Sequence, residues 1–192
     1  AQEQEHAPRP GVPFHDSFVN ANGIDLVARP PVRRDEKTLL YFGRISWKKR
    51  IDRIIEALPS LPEVRLVIAG NDDEGLTPAL MKLAQQRRVA DRIDFRGPVY
   101  DGSKYELLAS ATLFVLASES ENFGNTVLEA LSMETPVVLT RGVALADDVV
   151  GAGAGVIGLE NIEPLLEDQK RREDMGRNGR TLSDHWSGGM RT

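Results

Sequence analysis

Short apolar runs recur along the chain from residue 38 onward, with amphipathic stretches between them. The runs are dominated by Val, Ile, Leu and Phe, a composition that is typical of buried strands. They are TLLYFG (38–43), VRLVIAG (64–70), RIDFRG (92–97), TLFVLAS (112–118) and PVVLT (136–140). A sixth, weaker strand is predicted in GAGVIG (153–158).

The stretches between these runs have the character of helices: KKRIDRIIEAL, TPALMKLAQQRRVA, SKYELLASA and NTVLEALSM. In the first of them, Ile51, Ile54, Ile55 and Leu58 recur at i, i+3, i+4 and i+7, which places them on one stripe of a helix. Strands and helices therefore alternate at the spacing of βαβ units. This alternation predicts an α/β fold, namely a Rossmann-like parallel sheet with helices on both faces and right-handed crossovers.

The same pattern divides the 192 residues into three parts. Residues 1–37 are rich in Pro, Gly and charged residues and have no period, which predicts an N-terminal tail or interdomain connector. Residues 38–182 hold all the predicted strands and helices, including a charged helical segment at 161–182, and suit one α/β domain. Residues 183–192 are predicted to be a C-terminal tail.

Composition narrows the class of protein. The chain is 41% hydrophobic, and its net charge of -5 argues against a nucleic-acid partner. It has no cysteine, which excludes disulfides and thiolate metal sites and fits a reducing compartment. No apolar run approaches the roughly 20 residues that span a bilayer. The expected location is the cytoplasm, with at most a peripheral contact with a membrane.

Ligands of parallel α/β sheets bind beyond the carboxyl ends of the strands, so the residues that follow each strand are candidates. After the first strand, GRISWKKR supplies Arg44 and Lys49, a cationic pair that suits a diphosphate. Lys48 and Arg50 are interpreted as a solvated helix face, and Trp47 as a packing residue. The chain contains neither GxxxxGK[ST] nor GxGxxG after a strand, which disfavours NTP hydrolysis and dinucleotide redox chemistry.

The segment ENFGNTVLE (121–129) begins a predicted helix at the end of a predicted strand. From Gly124 onward, the backbone N–H groups of Asn125 and its neighbours can receive a phosphate. Glu121 precedes this helix, and Glu129 lies five residues past Gly124, about 7 to 8 Å along the axis. The two carboxylates therefore flank the anion site. They can accept hydrogen bonds from the hydroxyl groups at both ends of a nucleotide sugar. The alternative is an acidic residue that favours the helix dipole, together with a surface glutamate.

A run of acidic residues, Asp72, Asp73 and Glu74, follows the second predicted strand. It could ligate Mg²⁺, but an acidic loop that starts a helix is the favoured interpretation. None of the three histidines is assigned a catalytic role, and no metal site is predicted.

Four segments in fixed order, GRISWKK, VRLVIAGND, DRIDFRGPV and SESENFGNTVLEALSMETPVV, carry a family resemblance. The chain resembles the carboxyl-terminal, donor-binding domain of the group 1 glycosyltransferases, a family typified by glycogen synthases and bacterial mannosyltransferases. The resemblance covers residues 20–182 approximately. It implies one half of a GT-B fold, in which a donor domain and an acceptor domain face each other across a cleft.

The resemblance also implies roles for the residues singled out above. Glu121 and Glu129 match the E-x7-E motif of the family and would bind the transferred sugar and the ribose hydroxyls, respectively. Arg44 and Lys49 match its GR…K element and would neutralise the leaving diphosphate. Arg44, Lys49 and Glu121 are thus the predicted catalytic residues.

The donor would be held mainly by backbone groups. The backbone of Phe123, Gly124 and Asn125 would hold the phosphates or the sugar. Gly97 and Val99 after the third strand would lie near the base, and Gly43 after the first strand completes the predicted donor site. The family retains anomeric configuration and holds its donor without a metal, so no cofactor is expected.

The expected function is transfer of a hexosyl group from a UDP-, GDP- or ADP-hexose to a glycan or lipid-linked acceptor. Such an enzyme also needs an N-terminal acceptor-binding domain, so this chain is expected to be half of an enzyme and inactive alone. Two alternatives stay open: a fragment of a GT-B-like sugar-nucleotide epimerase, and a non-catalytic nucleotide-sugar-binding module. The sequence departs from the family at Arg50, where Gly is usual, and in a short segment at 151–165.

Overall fold

A computed structural model describes Ile24 and residues 26–187. Six parallel strands form one sheet in the order β3-β2-β1-β4-β5-β6. The strands are β1 (Thr38–Phe42), β2 (Arg65–Ala69), β3 (Ile93–Gly97), β4 (Leu113–Leu116), β5 (Val137–Leu139) and β6 (Gly155–Ile157). All six predicted strands are present, and the predicted Rossmann-like α/β fold is confirmed.

Seven helices accompany the sheet within the described residues. They are α1 (Ile51–Ala57), α2 (Thr77–Gln86), α3 (Asp101–Ser110), α4 (Asn125–Ser132), α5 (Ala146–Gly151), α6 (Ile162–Glu167) and α7 (Gln169–Ser187). None of the helices in this part of the chain combines the length and the apolar character that crossing a bilayer requires.

The four inner strands form the centre of the core because helices cover a parallel sheet and bury its side chains. Every side chain of β4 and β5 is buried. In β1, Leu40 is fully buried and lies opposite Val67 on one side and Phe114 on the other. These continuous apolar runs explain why the strands were predictable from the sequence.

Two predicted helices are shorter in the structure because left-handed residues interrupt them. Arg50 has φ 49°, so the segment that begins at Lys48 is split into a 3-10 turn, Trp47–Lys49, and α1. Arg88 has φ 59°, and α2 ends before it. The prediction of continuous helices over 48–58 and 77–90 was therefore wrong at these ends.

Helix α7 extends the domain beyond its predicted carboxyl end. It continues to Ser187, so residues 183–187 form helix where a tail was predicted, and Ser183 is buried. The helix approaches α4 closely, since a Cβ atom on Gly176 would lie 2.4 Å from the Glu134 carbonyl oxygen. The predicted tail residues 188–192 lie outside the described residues.

The described part of the predicted connector packs against the domain. Arg29 donates from Nε to the Met133 carbonyl at 3.1 Å, and Arg34 donates to the Glu134 carbonyl at 2.9 Å. From α7, Arg180 donates to the Ser132 carbonyl at 2.7 Å. These carbonyls lie at the carboxyl end of α4, where a helix has no backbone partners of its own. Residues 1–23 and Asp25 of the predicted connector lie outside the described residues.

We expect Gly176→Ala to lower the free energy of unfolding by about 1–3 kcal/mol, because the added methyl group collides with the backbone of Glu134. Urea unfolding measures the change. Gly102→Ala in α3 is the matched control, since a Cβ atom there meets nothing within 4 Å and alanine favours a helix. Equal effects of the two substitutions would contradict close packing of α7 on α4.

Candidate functional site

Two loops that follow neighbouring strands bring a predicted cation and a predicted carboxylate together. Lys49 follows β1 and Glu121 follows β4, and the lysine Nζ contacts the glutamate Oε2. Only 19% of each side chain is exposed. The ion pair therefore lies in a half-buried setting, where charges attract more strongly than in open water.

The loop that carries Glu121 is fixed by its backbone. The Glu121 N–H donates to the Gly142 carbonyl at 2.8 Å, and the Glu121 carbonyl accepts from the Ala144 N–H at 3.0 Å. Gly142 allows this contact, because a Cβ atom there would lie 2.3 Å from the carbonyl oxygen of Glu119. The position of the carboxylate is thus set by the loop that follows β5 as well as by its own.

Helix α4 starts immediately beyond Glu121. Gly124 is its N-cap in the left-handed conformation (φ 80°), and no described side chain caps the helix. Asn125 is exposed at the first position. The N–H groups of Asn125 and Thr126 therefore have no partner among the described residues and can receive an anion, whereas the Val127 N–H donates to the Gly124 carbonyl at 2.8 Å. The ring of Phe123 packs edge-on against Trp186 with centroids 5.4 Å apart, so the backbone of Phe123 is the part left for a ligand.

The second predicted carboxylate, Glu129, pairs with a lysine that the sequence analysis missed. Lys104 in α3 lies 2.9 Å from Glu129 Oε1, and the two side chains are 22% and 16% exposed. Burial alone would lower the pKa of Lys104, but the hydrogen bond and the charge of Glu129 outweigh it and raise that pKa. Lys104 and Glu129 lie 25 residues apart in different helices, so no local pattern could reveal the pair.

Arg44 lies in a neighbouring cavity of about 530 Å³ between the loops that follow β1, β2 and β3. Gly43, Val99, Tyr100 and Lys104 are among its other lining residues. Arg44 is exposed and forms no ion pair within the described residues. The two predicted cations thus have different neighbours: Lys49 contacts Glu121, whereas Arg44 lines a cavity together with Lys104, the lysine that pairs with Glu129.

Glycines allow the walls of this cavity to approach each other. A Cβ atom on Gly70 would lie 1.9 Å from the Gly43 carbonyl oxygen, and the Gly70 N–H donates to the Gly97 carbonyl at 2.8 Å. Gly97 has φ 66°, a left-handed conformation that glycine adopts without strain. The predicted donor residues Gly43, Gly97 and Val99 therefore belong to two loops connected through Gly70.

Tyr41 forms a hydrogen bond with the loop that lines this cavity. Its side chain is fully buried in β1, and its hydroxyl donates to the Arg44 carbonyl at 2.6 Å. Burial, and secondarily the charge of Glu121, raise the pKa of this hydroxyl well above its usual range. The sequence analysis treated Tyr41 only as a strand residue, because its partner is a backbone group.

Three further predictions have clear outcomes. Asp72 accepts hydrogen bonds from the N–H groups of Leu76 (2.8 Å) and Thr77 (2.7 Å), so the loop starts α2 as predicted. Trp47 is 60% exposed, so its interpretation as a packing residue was wrong. Arg50 was interpreted as part of a solvated face, but its guanidinium group is ion-paired.

Within residues 26–187, no three carboxylate or imidazole side chains cluster as metal ligands would.

A parallel six-stranded sheet with a charged crevice at its carboxyl edge defines this protein as a Rossmann-like α/β domain. The sequence model of the family Glycosyl transferases group 1 matches residues 25–182. The chain therefore belongs to this family, which confirms the resemblance. The match begins within the predicted connector.

Known proteins agree with this assignment. The chain is 35% identical over 148 residues to the D-inositol 3-phosphate glycosyltransferase of Mycolicibacterium smegmatis, covering 68% of this chain and 34% of that protein. An uncharacterized glycosyltransferase of Methanocaldococcus jannaschii is 37% identical over 112 residues, covering 57% and 28%. The chain thus spans about a third of the length of these curated relatives.

Among solved structures, the sucrose-phosphate synthase from Thermosynechococcus elongatus superposes with a TM-score of 0.74 at 25% identity. The superposition covers 80% of this chain and 42% of that one.

We expect Tyr41→Phe to lower the free energy of unfolding by about 1 kcal/mol at pH 7, because the Arg44 carbonyl loses its donor. Above pH 10 this deficit should shrink. The raised pKa of Tyr41 means that the folded protein keeps a proton that the unfolded chain releases, so stability falls by about 1.4 kcal/mol per pH unit from pH 10 up to the folded pKa. Phenylalanine removes that loss.

Urea unfolding at pH 7 and pH 11 measures the difference between the two proteins. The control is Tyr100→Phe, whose ring is 65% exposed and whose hydroxyl contacts Asn71 at 3.3 Å. A deficit of the same size at both pH values would show that the Tyr41 hydroxyl does not titrate abnormally.

Proposed function

We propose that this domain binds the nucleoside diphosphate sugar of a hexosyl transfer reaction in the crevice between the loops that follow β1 and β4. The observation that carries the proposal is the half-buried contact of Lys49 with Glu121, beside the uncapped start of α4. A cation, a hydroxyl acceptor and free backbone N–H groups lie together there. This combination suits a ligand that has both a diphosphate and sugar hydroxyl groups.

The leaving diphosphate is the centre of the proposed chemistry. Lys49 can leave Glu121 and pair with the phosphates instead. The first N–H groups of α4 add the positive end of the helix dipole. Arg44 offers a planar, forked donor from the adjoining cavity. Negative charge builds up on the nucleotide as the glycosidic bond breaks, and fixed cations stabilise that charge. This cationic setting supports a reaction without a metal ion.

The carboxylates would bind the two sugar rings of the donor. Glu121 would accept hydrogen bonds from hydroxyl groups of the transferred hexose, and Glu129 would accept hydrogen bonds from the ribose hydroxyl groups. Lys104 occupies one oxygen of Glu129 and leaves the other free to accept a hydroxyl group. The base would lie in the cavity near Val99, held mainly by backbone groups, which is compatible with uracil, guanine or adenine.

The wider reaction rests on family membership. We propose retention of anomeric configuration, a glycan or lipid-linked acceptor, and a second, N-terminal domain that binds this acceptor and closes the crevice. The named acceptor of the mycobacterial relative is D-inositol 3-phosphate, but this chain spans only 34% of that protein. The acceptor is therefore assigned to the proposed second domain.

We expect Lys49→Met to weaken binding of a nucleoside diphosphate about tenfold or more, because a charge-assisted contact with phosphate is removed. Calorimetry with UDP, GDP and ADP measures the loss and identifies the base. Lys48→Met is the matched control: the side chain is exposed and its Nζ lies 5.6 Å from the ring centroid of Trp47. Its affinity should stay within about twofold of the unmodified chain.

Failure of all three nucleotides to bind the unmodified chain would reject the proposal in favour of a scaffold. Binding that Lys49→Met leaves unchanged would place the diphosphate elsewhere.

We expect Glu129→Gln to remove the preference for ribose. The unmodified chain should bind the nucleoside diphosphate roughly tenfold more tightly than its 2′,3′-dideoxy analogue, since a carboxylate accepts strong hydrogen bonds from hydroxyls. The variant should bind both forms about equally. The control is Glu106→Gln, an exposed residue of α3. A preference that survives in Glu129→Gln would remove this residue from the ribose site.

A further inference from the structure

Arg50 occupies an unusual backbone position directly after Lys49. Its φ of 49° and ψ of 44° are left-handed, a conformation that glycine adopts freely and that disfavours residues with a β-carbon. An arginine at this position therefore accepts a conformational cost, which suggests that its side chain contributes something that glycine cannot.

The side chain of Arg50 joins two segments of the crevice. Its guanidinium group binds Asp52 at the start of α1, with Nε to Oδ1 at 3.0 Å and Nη2 to Oδ2 at 2.8 Å. Its Nη1 contacts Oε1 of Glu119, which lies in the loop that follows β4. The Arg50 side chain is 26% exposed. Asp52 orients the guanidinium group, and Nη1 reaches across to the other loop.

Backbone contacts meet at the same place. The Glu119 N–H donates to the Lys48 carbonyl at 2.9 Å, and the Ser118 hydroxyl donates to that carbonyl at 3.1 Å. Lys48 and Glu119 therefore form the junction between the two loops. Lys49 follows the junction by one residue on one side, and Glu121 by two residues on the other.

Arg50 also neutralises the other carboxylate of the loop that carries Glu121. Glu119 and Glu121 lie in the same loop, and both carry negative charge near the cationic segment 48–50. Arg50, together with Arg53 at 3.4 Å, neutralises Glu119. Lys49 then pairs with Glu121 rather than with Glu119.

We propose that Arg50 is a positioning residue that holds the loop after β1 against the loop after β4 and so aims Lys49 into the diphosphate site. This inference rests on the proposed function and deepens it. A cation held in place before the ligand arrives loses less conformational freedom on binding, so a tight junction increases affinity.

The experiment compares Arg50→Gly, Arg50→Lys and Arg53→Ala in the full chain. Glycine keeps the left-handed backbone and removes only the side chain. Lysine keeps the charge without the fork. Arg53→Ala is the matched control, since it removes an equal charge near the same Glu119 but lies in α1, outside the loop of Lys49. Two measurements follow: amide hydrogen exchange of Glu119, and calorimetric binding of inorganic diphosphate.

Arg50→Gly should speed exchange of the Glu119 amide about tenfold, because the hydrogen bond to Lys48 opens more often. The same variant should weaken diphosphate binding about fivefold to tenfold. Arg50→Lys should recover part of both losses, and Arg53→Ala should leave both within about twofold. Arg50→Gly behaving like Arg53→Ala in both measurements would overturn the inference.

The outcomes separate this inference from the proposed function. If the unmodified chain does not bind inorganic diphosphate, the proposed site is wrong. In that case the hydrogen exchange of the Glu119 amide alone tests whether Arg50 joins the two loops. An unchanged exchange rate in Arg50→Gly would refute this role of Arg50. If the unmodified chain binds diphosphate and the exchange rises without weaker binding, Arg50 joins the loops but does not aim Lys49, and the inference fails.

Discussion

The reversal of strand order between β1 and β4 is the constraint on which the site depends. The chain leaves β1 towards β2 and β3 on one side and later returns to place β4 on the other side. The connections after the two neighbouring strands therefore diverge, and a crevice opens between them at the carboxyl edge of the sheet. A hydrogen bond from Glu119 to the Lys48 carbonyl closes its base. The meeting of Lys49 and Glu121 is a consequence of this topology.

Charge balance follows from that crevice. Half-buried charges are costly unless they are paired, and each predicted carboxylate has a lysine: Lys49 for Glu121 and Lys104 for Glu129. A nucleotide sugar of the proposed kind would replace these lysine–glutamate ion pairs with its own contacts, and it would not enter a site of unpaired charges. Its phosphates would take over the lysines, while its hydroxyls would satisfy the carboxylates. Affinity would then be the difference between two well-satisfied states, so small changes in loop position should have large effects.

The sequence predicts the parts of this protein that are encoded locally. Short apolar runs located five of the strands and a weaker signal located the sixth, and the motif order identified the family, because these features depend on residues that are close together in the chain. Other features depend on contacts between distant segments. Lys104 contacts Glu129 across 25 residues, Tyr41 bonds to a backbone carbonyl, and Arg50 joins a loop 69 residues away. The predicted helix ends were wrong at Arg50 and Arg88, whose backbones are left-handed. An arginine side chain gives no sign of that conformation in the sequence.

Helix α4 connects the site to the far end of the domain. Its first turn faces the proposed phosphate position, while its last carbonyls accept hydrogen bonds from Arg29, Arg34 and Arg180. Two of these arginines belong to the segment that precedes β1, and the third belongs to α7. Both segments therefore hold the helix whose N-terminus faces the proposed ligand position. Because a helix is stiff, a shift of its carboxyl end is transmitted to its N-terminus with little loss over its eight residues. Helix α4 thus connects the segment before β1 to the proposed donor site.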